Sequence, residues 1–359
     1  MIYLIQLKIL NVVCYPSNLF RTHQMKALFL QKYGLFIRRN LQFLEKELGK
    51  PGENDLLIEV FAAGLNPVDY KIIYGMALPF ARPNRPFPLG FDLSGVVIGK
   101  GENVQDFTIG DAVYAKVPWE QMGTIATQII VRSDMVALKP KNINFEEAAG
   151  LPLVGCTVVD SFKVAEIKEG TSVLIYAGSG GIGSFAIQYA KFLGAYVYTT
   201  TSTSNVEWVK KLGADCVIDY KKEDFRKRVQ NVDVVYDTLG GSYTGKALKV
   251  VRNGGKIISI AGHHDDATLK KVGVAKIFRF LFLVKGSILL FRMQRKNVFY
   301  KHVWSYPNQT TLNYIRDLVE AEKIKPIVDQ VFPFEDAVNA LVYLQKKRAK
   351  GKVIVSMKQ

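Results

Sequence analysis

The run Thr171–Ala177, followed directly by Gly178-Ser179-Gly180-Gly181-Ile182-Gly183, limits the fold of this chain more than any other stretch. Ser172-Val173-Leu174-Ile175-Tyr176 is short, apolar and β-branched, and reads as a buried strand. Gly183–Leu193 reads as a helix. Gly178, Gly180 and Gly183 satisfy GxGxxG, and Ala177, Gly180 and Gly183 also satisfy AxxGxxG. The pattern is weak alone and informative between a strand and a helix. Glycines let the backbone approach a pyrophosphate, and a helix N-terminus favours its negative charge. Gly178, Ser179, Gly180, Gly181, Ile182 and Gly183 are therefore candidate dinucleotide-binding residues.

The alternation continues. Tyr196–Thr200, Cys216–Asp219, Val232–Asp237, Lys256–Ala261 and Val298–Trp304 read as strands, with helices over Asn205–Leu212 and Tyr243–Val250. Apolar strands alternating with helices predict an α/β, doubly wound parallel sheet. The texture from Leu56 to Val136 differs. Short β-branched runs punctuated by Gly, Pro and Asp predict a mostly antiparallel β domain. Asn144, with Glu147 three residues on, predicts a capped helix start. Beyond the alternating region, Leu312–Glu322 and Ala337–Lys347 read as helices and Val353–Ser356 as a closing strand. Met25–Leu30 reads as the first strand, so residues 1–24 are expected to be an extension. They lack a secretory signal and carry Lys8 and Arg21 as their bases.

At 359 residues the chain suits two domains. Three cysteines, Cys14, Cys156 and Cys216, lie far apart, which excludes a disulfide scaffold and a four-cysteine zinc site and fits a reducing compartment such as the cytoplasm. The net charge of +16 is not evenly spread. Residues 1–44 hold six bases and no acid, and residues 267–316 hold ten bases and no acid. Two local basic blocks suggest solvated surfaces or faces turned to something anionic.

An NAD site commonly places an acid at the end of the second strand, on the ribose hydroxyls. Here that position reads Tyr198-Thr199-Thr200-Thr201-Ser202-Thr203-Ser204-Asn205, and the first acid is Glu207. Nothing there repels a 2′-phosphate, so NADP(H) is favoured, with Thr200, Ser202, Thr203 and Asn205 as polar candidates.

Several further stretches carry a resemblance: Ala63-Gly64-Leu65-Asn66-Pro67-Val68-Asp69-Tyr70-Lys71, Pro88–Val97, Gly110-Asp111-Ala112-Val113-Tyr114, Ala148-Ala149-Gly150-Leu151-Pro152, Lys211-Leu212-Gly213-Ala214-Asp215 and Ala349-Lys350-Gly351-Lys352-Val353. With the glycine loop they resemble, in order from Met25 to Val355, the medium-chain dehydrogenase/reductases, specifically the zinc-free quinone oxidoreductase-like branch. The resemblance implies a GroES-like broken-barrel catalytic domain with the dinucleotide-binding domain inserted. The expected division is an extension at 1–24, catalytic segments at 25–147 and 305–359, and a dinucleotide domain at 148–304 with an apolar, basic insert at 270–296.

Zinc-dependent relatives carry Cys where this chain has Asn66, and Gly-His-Glu where it has Gly90-Phe91-Asp92. His23, His263, His264 and His302 have no Cys partner at ligand spacing, and His263-His264-Asp265-Asp266 reads as a polar loop, so no metal is expected. The resemblance carries Asn66 and Asp69 into the cleft beside the nicotinamide, Asn66 to orient substrate or carboxamide and Asp69 for the same cleft or to hold the loop. Tyr70 and Lys71 are candidate donors to a substrate oxygen, with a solvated strand end as the plain alternative for Lys71. Thr157 and Tyr220 are carried to the cofactor side; Thr238 and Ala261-Gly262, which follow the fourth and fifth strands, occupy switch-point positions where cofactors lie, and Lys352 is a further cofactor-cleft candidate.

Without a Lewis acid, reducing a conjugated acceptor is easier than oxidising a simple alcohol, because the charge delocalises onto an oxygen that hydrogen-bond donors can hold. The expected activity is NADPH-dependent reduction of a quinone or an α,β-unsaturated carbonyl, in a homo-oligomer such as a dimer. The alternative is a cofactor-binding protein acting through its basic face on RNA or an anionic membrane; the intact glycine loop and Asn66–Asp69 disfavour nucleic acid. Residues 270–296 are expected to break at Lys285-Gly286-Ser287 into two short helices. These would form either a hairpin packed on protein or an interfacial anchor on anionic lipid.

Overall fold

The computed structural model describes residues 23–76, 83–264, 269–270 and 273–358. The expected extension thus lies almost wholly outside the described residues, as do Asp265, Asp266 and Lys271.

In chain order, the first half holds β1 (His23–Leu30), α1 (Ile37–Asn40), β2 (Leu41–Leu48), β3 (Asp55–Leu65), α2 (Pro67–Ile73), β4 (Phe87–Pro88), β5 (Asp92–Lys100), β6 (Ala112–Lys116), β7 (Gln128–Arg132), β8 (Val136–Leu138), α3 (Phe145–Ala149) and α4 (Pro152–Ala165). Then follow β9 (Ser172–Ile175), α5 (Gly181–Phe192), β10 (Tyr196–Thr201), α6 (Val206–Lys211), β11 (Cys216–Asp219), β12 (Val232–Asp237), α7 (Ser242–Val250), β13 (Val251–Ser259), α8 (Lys276–Arg295), β14 (Phe299–His302), α9 (Gln309–Glu320), β15 (Val328–Pro333), α10 (Ala337–Gln345) and β16 (Lys352–Ser356).

Two larger sheets organise these elements. The first runs β15-β16-β3-β5-β6-β8, with β7 on β3, and is antiparallel except for β15 on β16. The closing strand β16 lies antiparallel to β3, so the end of the chain completes the sheet begun near its start. A smaller sheet, β2-β1-β4, flanks it. The other larger sheet is parallel throughout, in the order β11-β10-β9-β12-β13-β14. The strand order reverses between β9 and β12, which opens a crevice at their carboxyl ends where ligands of such sheets bind. Val173, Leu174, Val235, Ile257 and Ile258 are fully buried, as helices on both faces of a parallel sheet require.

Local chemistry explains the boundaries. Asn144 caps α3 by accepting from the Glu147 N–H, while Glu147 accepts from the Asn144 N–H. Pro152 opens α4, where its missing N–H is not needed. Ile315 on α9 comes so close to α4 that a Cβ on Gly155 would lie 2.7 Å from its Cδ1. The Tyr114 hydroxyl on β6 donates to the Leu312 carbonyl on α9 at 2.6 Å, tying the antiparallel sheet to that helix.

Two expectations need correction. Residues 276–295 form one helix, α8, and not two. Gly286 costs a helix only about 1 kcal/mol relative to Ala. The Ser287 hydroxyl donates back to the Val284 carbonyl at 2.9 Å, so Lys285-Gly286-Ser287 fits inside the helix. Lys71 sits on α2 rather than at a strand end, because Pro67 and the Asp69 carboxylate start a helix right after β3.

Tyr114→Phe should fold normally and lose about 1 kcal/mol of stability, the worth of one buried hydrogen bond, read as a lower urea midpoint with an unchanged slope.

Candidate active site

The glycine loop follows β9. The Ala177 N–H donates to the Thr200 hydroxyl at 3.2 Å and the Gly178 N–H to the Thr200 carbonyl at 2.9 Å, so Thr200 fixes the loop to β10. A Cβ on Gly183 would lie 2.2 Å from the Ala177 carbonyl oxygen, so this glycine permits the tight fold of the loop. Gly180 differs. Its nearest would-be contact is 3.5 Å away, so it leaves open the space over the first turn of α5. The N–H groups and dipole of that turn suit a phosphate.

At the far end, the Asn205 side chain donates to the hydroxyls of Ser179 at 3.1 Å and Ser202 at 3.3 Å, joining the loop to the turn after β10. Among the described residues, Asn205 Oδ1 and Thr201 Oγ1 are buried without a hydrogen-bond partner. Asp219, register partner of Thr201, adjoins this turn, as does Tyr220, which is 55% exposed. Burial would raise the Asp219 carboxyl, but hydrogen bonds from the Thr203 side chain and the Lys221 backbone, with the charges of Lys222 and Lys221, hold it below its usual range. Sequence reasoning missed Asp219, Lys221 and Lys222, which parallel pairing of β10 with β11 brings to the turn.

The other wall of the crevice is stapled from within. Asp237, at the end of β12, accepts from the N–H groups of Leu239 and Gly240 and from the hydroxyls of Thr244 and Ser259. The Ser259 oxygen in turn accepts from the Ala261 and Gly262 N–H groups, at 3.3 and 2.7 Å. The Thr238 hydroxyl donates to the Tyr176 carbonyl. Thr157 is buried on α4.

The C-terminal strand connects this cradle to the antiparallel sheet. The Gly351 N–H donates to the Ser179 carbonyl at 3.0 Å, and Gly351 bridges Gly180. Gly351 has φ +97°, and a Cβ there would lie 2.4 Å from the Ile327 carbonyl oxygen, so only glycine suits this approach. The next residue, Lys352, is buried. Its Nζ donates to Asn66 Oδ1 at 2.6 Å and to Asp92 Oδ2 at 3.0 Å. Asn66 Nδ2 also donates to Asp92 Oδ2 at 3.0 Å, and Asp92 Oδ1 accepts from the Leu153 N–H at 2.8 Å. Asp69 Oδ2 accepts from the Asn66 N–H at 2.7 Å. Burial pushes the Asp69 carboxyl up to about 7, aided by Asp92, against the pull of the Asn66 N–H and Lys352.

Asn66, Asp69 and Lys352 therefore stand together against the glycine loop. Tyr70 is 5% exposed within the core packed on α2, and burial, then Tyr74, raises its phenol. Lys71 goes elsewhere: burial, then the charge of Lys347, weakens its ammonium. The structure adds Asp92, which the sequence marked only in the comparison with zinc-dependent relatives, and Lys116, which it left unnoticed. They are register partners on β5 and β6. Lys116 is buried, its Nζ donates to the Ser305 carbonyl at 2.7 Å, and burial lowers its pKa. Beside them runs a series of rings, Phe91 to Trp119 at 5.4 Å, Trp119 to Trp304 at 6.4 Å and Trp304 to His264 at 6.3 Å. These rings lie far apart in sequence, so no local pattern announced them.

Comparison with known proteins places this arrangement. Residues 52–141 match the family model described as alcohol dehydrogenase GroES-like domain, and residues 212–355 that described as zinc-binding dehydrogenase. The chain is 36% identical to an NADPH-dependent alkenal/one oxidoreductase, chloroplastic, of Arabidopsis thaliana, over 84% of this chain and 72% of that protein. It is 34% identical to a 2-methylene-furan-3-one reductase of Solanum lycopersicum, over 92% and 79%. The quinone oxidoreductase from Coxiella burnetii superposes with a TM-score of 0.81 at 30% identity, covering 94% of this chain and all of that one (100%).

The zinc in the second family description does not suit the residues present. Zinc takes thiolate, imidazole or carboxylate donors. Here an amide, Asn66, and one carboxylate, Asp92, converge on the ammonium of Lys352, a cluster with no thiolate or imidazole donor in it. The chain belongs to the medium-chain dehydrogenase/reductase superfamily, in the branch of the NADPH-dependent alkenal/one and quinone oxidoreductases.

Proposed function

We propose that this protein is a zinc-independent oxidoreductase that uses NADPH to reduce an α,β-unsaturated carbonyl or a quinone. The observation that carries the reading is the Gly351–Ser179 hydrogen bond, which sets the phosphate cradle and the Lys352–Asn66–Asp92 cluster into one site. The activities named for the relatives at 36% and 34% identity support it.

NADPH, when bound, supplies the hydride. Gly180 and the first turn of α5 hold its pyrophosphate, with Gly178, Ser179, Gly181, Ile182 and Gly183 shaping the loop. Ser202, Thr203, Asn205, Tyr220 and the Lys221–Lys222 pair receive the 2′-phosphate. Thr157, Thr238, Ala261 and Gly262 line the nicotinamide side. Asn66, Asp69, Asp92 and Lys352 act as positioning residues, since their polar atoms face one another. The ring series from Phe91 to Trp304 suits a planar conjugated acceptor and excludes water beside it. Tyr70 stays protonated, so it can donate a hydrogen bond to the substrate oxygen but not act as a base. Lys71, turned toward Lys347 and away from the Lys352–Asn66–Asp92 cluster, has no part in this reading. The reading includes the division into segments 25–147, 148–304 and 305–359. It also includes a reducing compartment such as the cytoplasm, in which the thiols of Cys156 and Cys216 stay free, and a homodimer, the assembly the resemblance implies.

NADPH oxidation should be followed with acyclic enones and with small quinones, for the wild type and Gly180→Asp. The wild type should turn over at least one class. The variant should remain folded, because its side chain enters open space, and should lose NADPH binding by calorimetry; undiminished affinity rejects the cradle. NADPH should bind at least tenfold more tightly than NADH, about 1.4 kcal/mol. Lys221→Glu with Lys222→Glu should erase most of that preference while leaving NADH affinity unchanged.

Asp69 adds a pH dependence of stability. Its folded pKa of about 7 lies above the ordinary 3.8, so its favourable contribution is complete below 3.8 and is lost progressively as pH rises from there through 7. Asp69→Asn should remove that loss, which accumulates at about 1.4 kcal/mol for each pH unit between those two values. The variant's advantage in urea unfolding should grow from acid to mildly alkaline pH; a pH-independent difference would contradict the assignment.

A further inference from the structure

We propose that the outer face of α8 is a docking surface for an anionic lipid bilayer, on which the protein lies without crossing it. A helix apolar on all sides is ordinarily buried on all sides. On α8 the inner side packs on the parallel-sheet domain, with Met293 buried and Leu289 and Leu290 half-buried. The outer side is just as apolar and stays exposed: Ile277, Phe280, Leu281, Val284, Ile288 and Phe291 are 54–69% accessible. At about 100° per residue these six fall within an arc of about 100°, and their stripe runs about 21 Å along the axis.

The charge around the stripe selects the occupant. Lys276, Arg292 and Arg295 lie exposed at its ends, and residues 267–316 hold ten bases and no acid. Packing two copies stripe to stripe would bring these cations together with no acid on either side. An RNA would satisfy the cations and leave the apolar stripe in water. A bilayer with anionic headgroups satisfies both, because the side chains enter the headgroup–acyl boundary while the bases meet phosphate. Each base near such a surface contributes about 1 kcal/mol. No helix among the described residues is long and apolar enough to cross a membrane, so contact is in the plane of the interface.

The test is co-sedimentation of the full chain with vesicles of phosphatidylcholine plus phosphatidylglycerol, and with phosphatidylcholine alone. The wild type should pellet with the anionic vesicles at low salt, release at high salt, and stay in solution with neutral ones. Phe280→Ser with Ile288→Ser should weaken vesicle binding about tenfold or more, as should Arg292→Glu with Arg295→Glu. NADPH affinity by calorimetry should be unchanged in both, which verifies folding and separates this result from the fate of the reductase reading. Three results would each overturn the proposal. The first is a wild type that ignores anionic vesicles, with or without retention on single-stranded RNA. The second is a stripe variant that binds vesicles like the wild type. The third is a stripe variant altered only in its oligomeric state by sedimentation velocity, which would assign the face to a second copy.

Discussion

One backbone hydrogen bond, from the Gly351 N–H to the Ser179 carbonyl, joins the two halves of this protein's chemistry. It makes the glycine loop of the parallel sheet continuous with the last strand of the antiparallel one. The loop must lie against the start of β16, and β16 must be preceded by a residue that tolerates φ +97°. Lys352 then follows with its stem over Gly181, where an added Cβ would lie 3.0 Å from Cδ, and with its ammonium on Asn66 and Asp92. A shift of β16 would move the cradle and the polar cluster together.

The cluster is a balance of buried charges. A lysine and a carboxylate out of water cost several kcal/mol each unless paired and hydrogen-bonded. Lys352 and Asp92 meet that condition through each other, Asn66 and the Leu153 N–H. Asp69 lies next to this pair with fewer partners, and burial pushes its carboxyl up to about 7. An amide, a carboxylate and an ammonium in mutual contact are not a donor set that suits zinc.

Much of the scaffold is legible in the sequence. Alternating strands and helices after Thr171, with glycines between the first pair, point to the parallel sheet and its cradle, because a buried strand and a helix start each leave a local signature. The Asn144–Glu147 cap is readable for the same reason. Gly286 misleads over α8, because a single glycine costs a helix only about 1 kcal/mol, and the Ser287 hydroxyl finds its acceptor inside the helix, on the Val284 carbonyl. Lys71 stands close to Asn66 along the chain, yet the helix turns it toward Lys347.

The sequence by itself determined the cofactor cradle and the lack of an acid on the turn after β10, because these depend on residues within a few positions of one another. Only the tertiary structure decided which distant groups share the cleft. Strand pairing set Asp92 opposite Lys116, β10 beside β11 brought Asp219 and its lysines to Thr203, and the return of β16 carried Lys352 to Asn66 across 286 positions. Pairwise electrostatics and packing act through space, at distances of a few ångströms that the order of residues along the chain does not record.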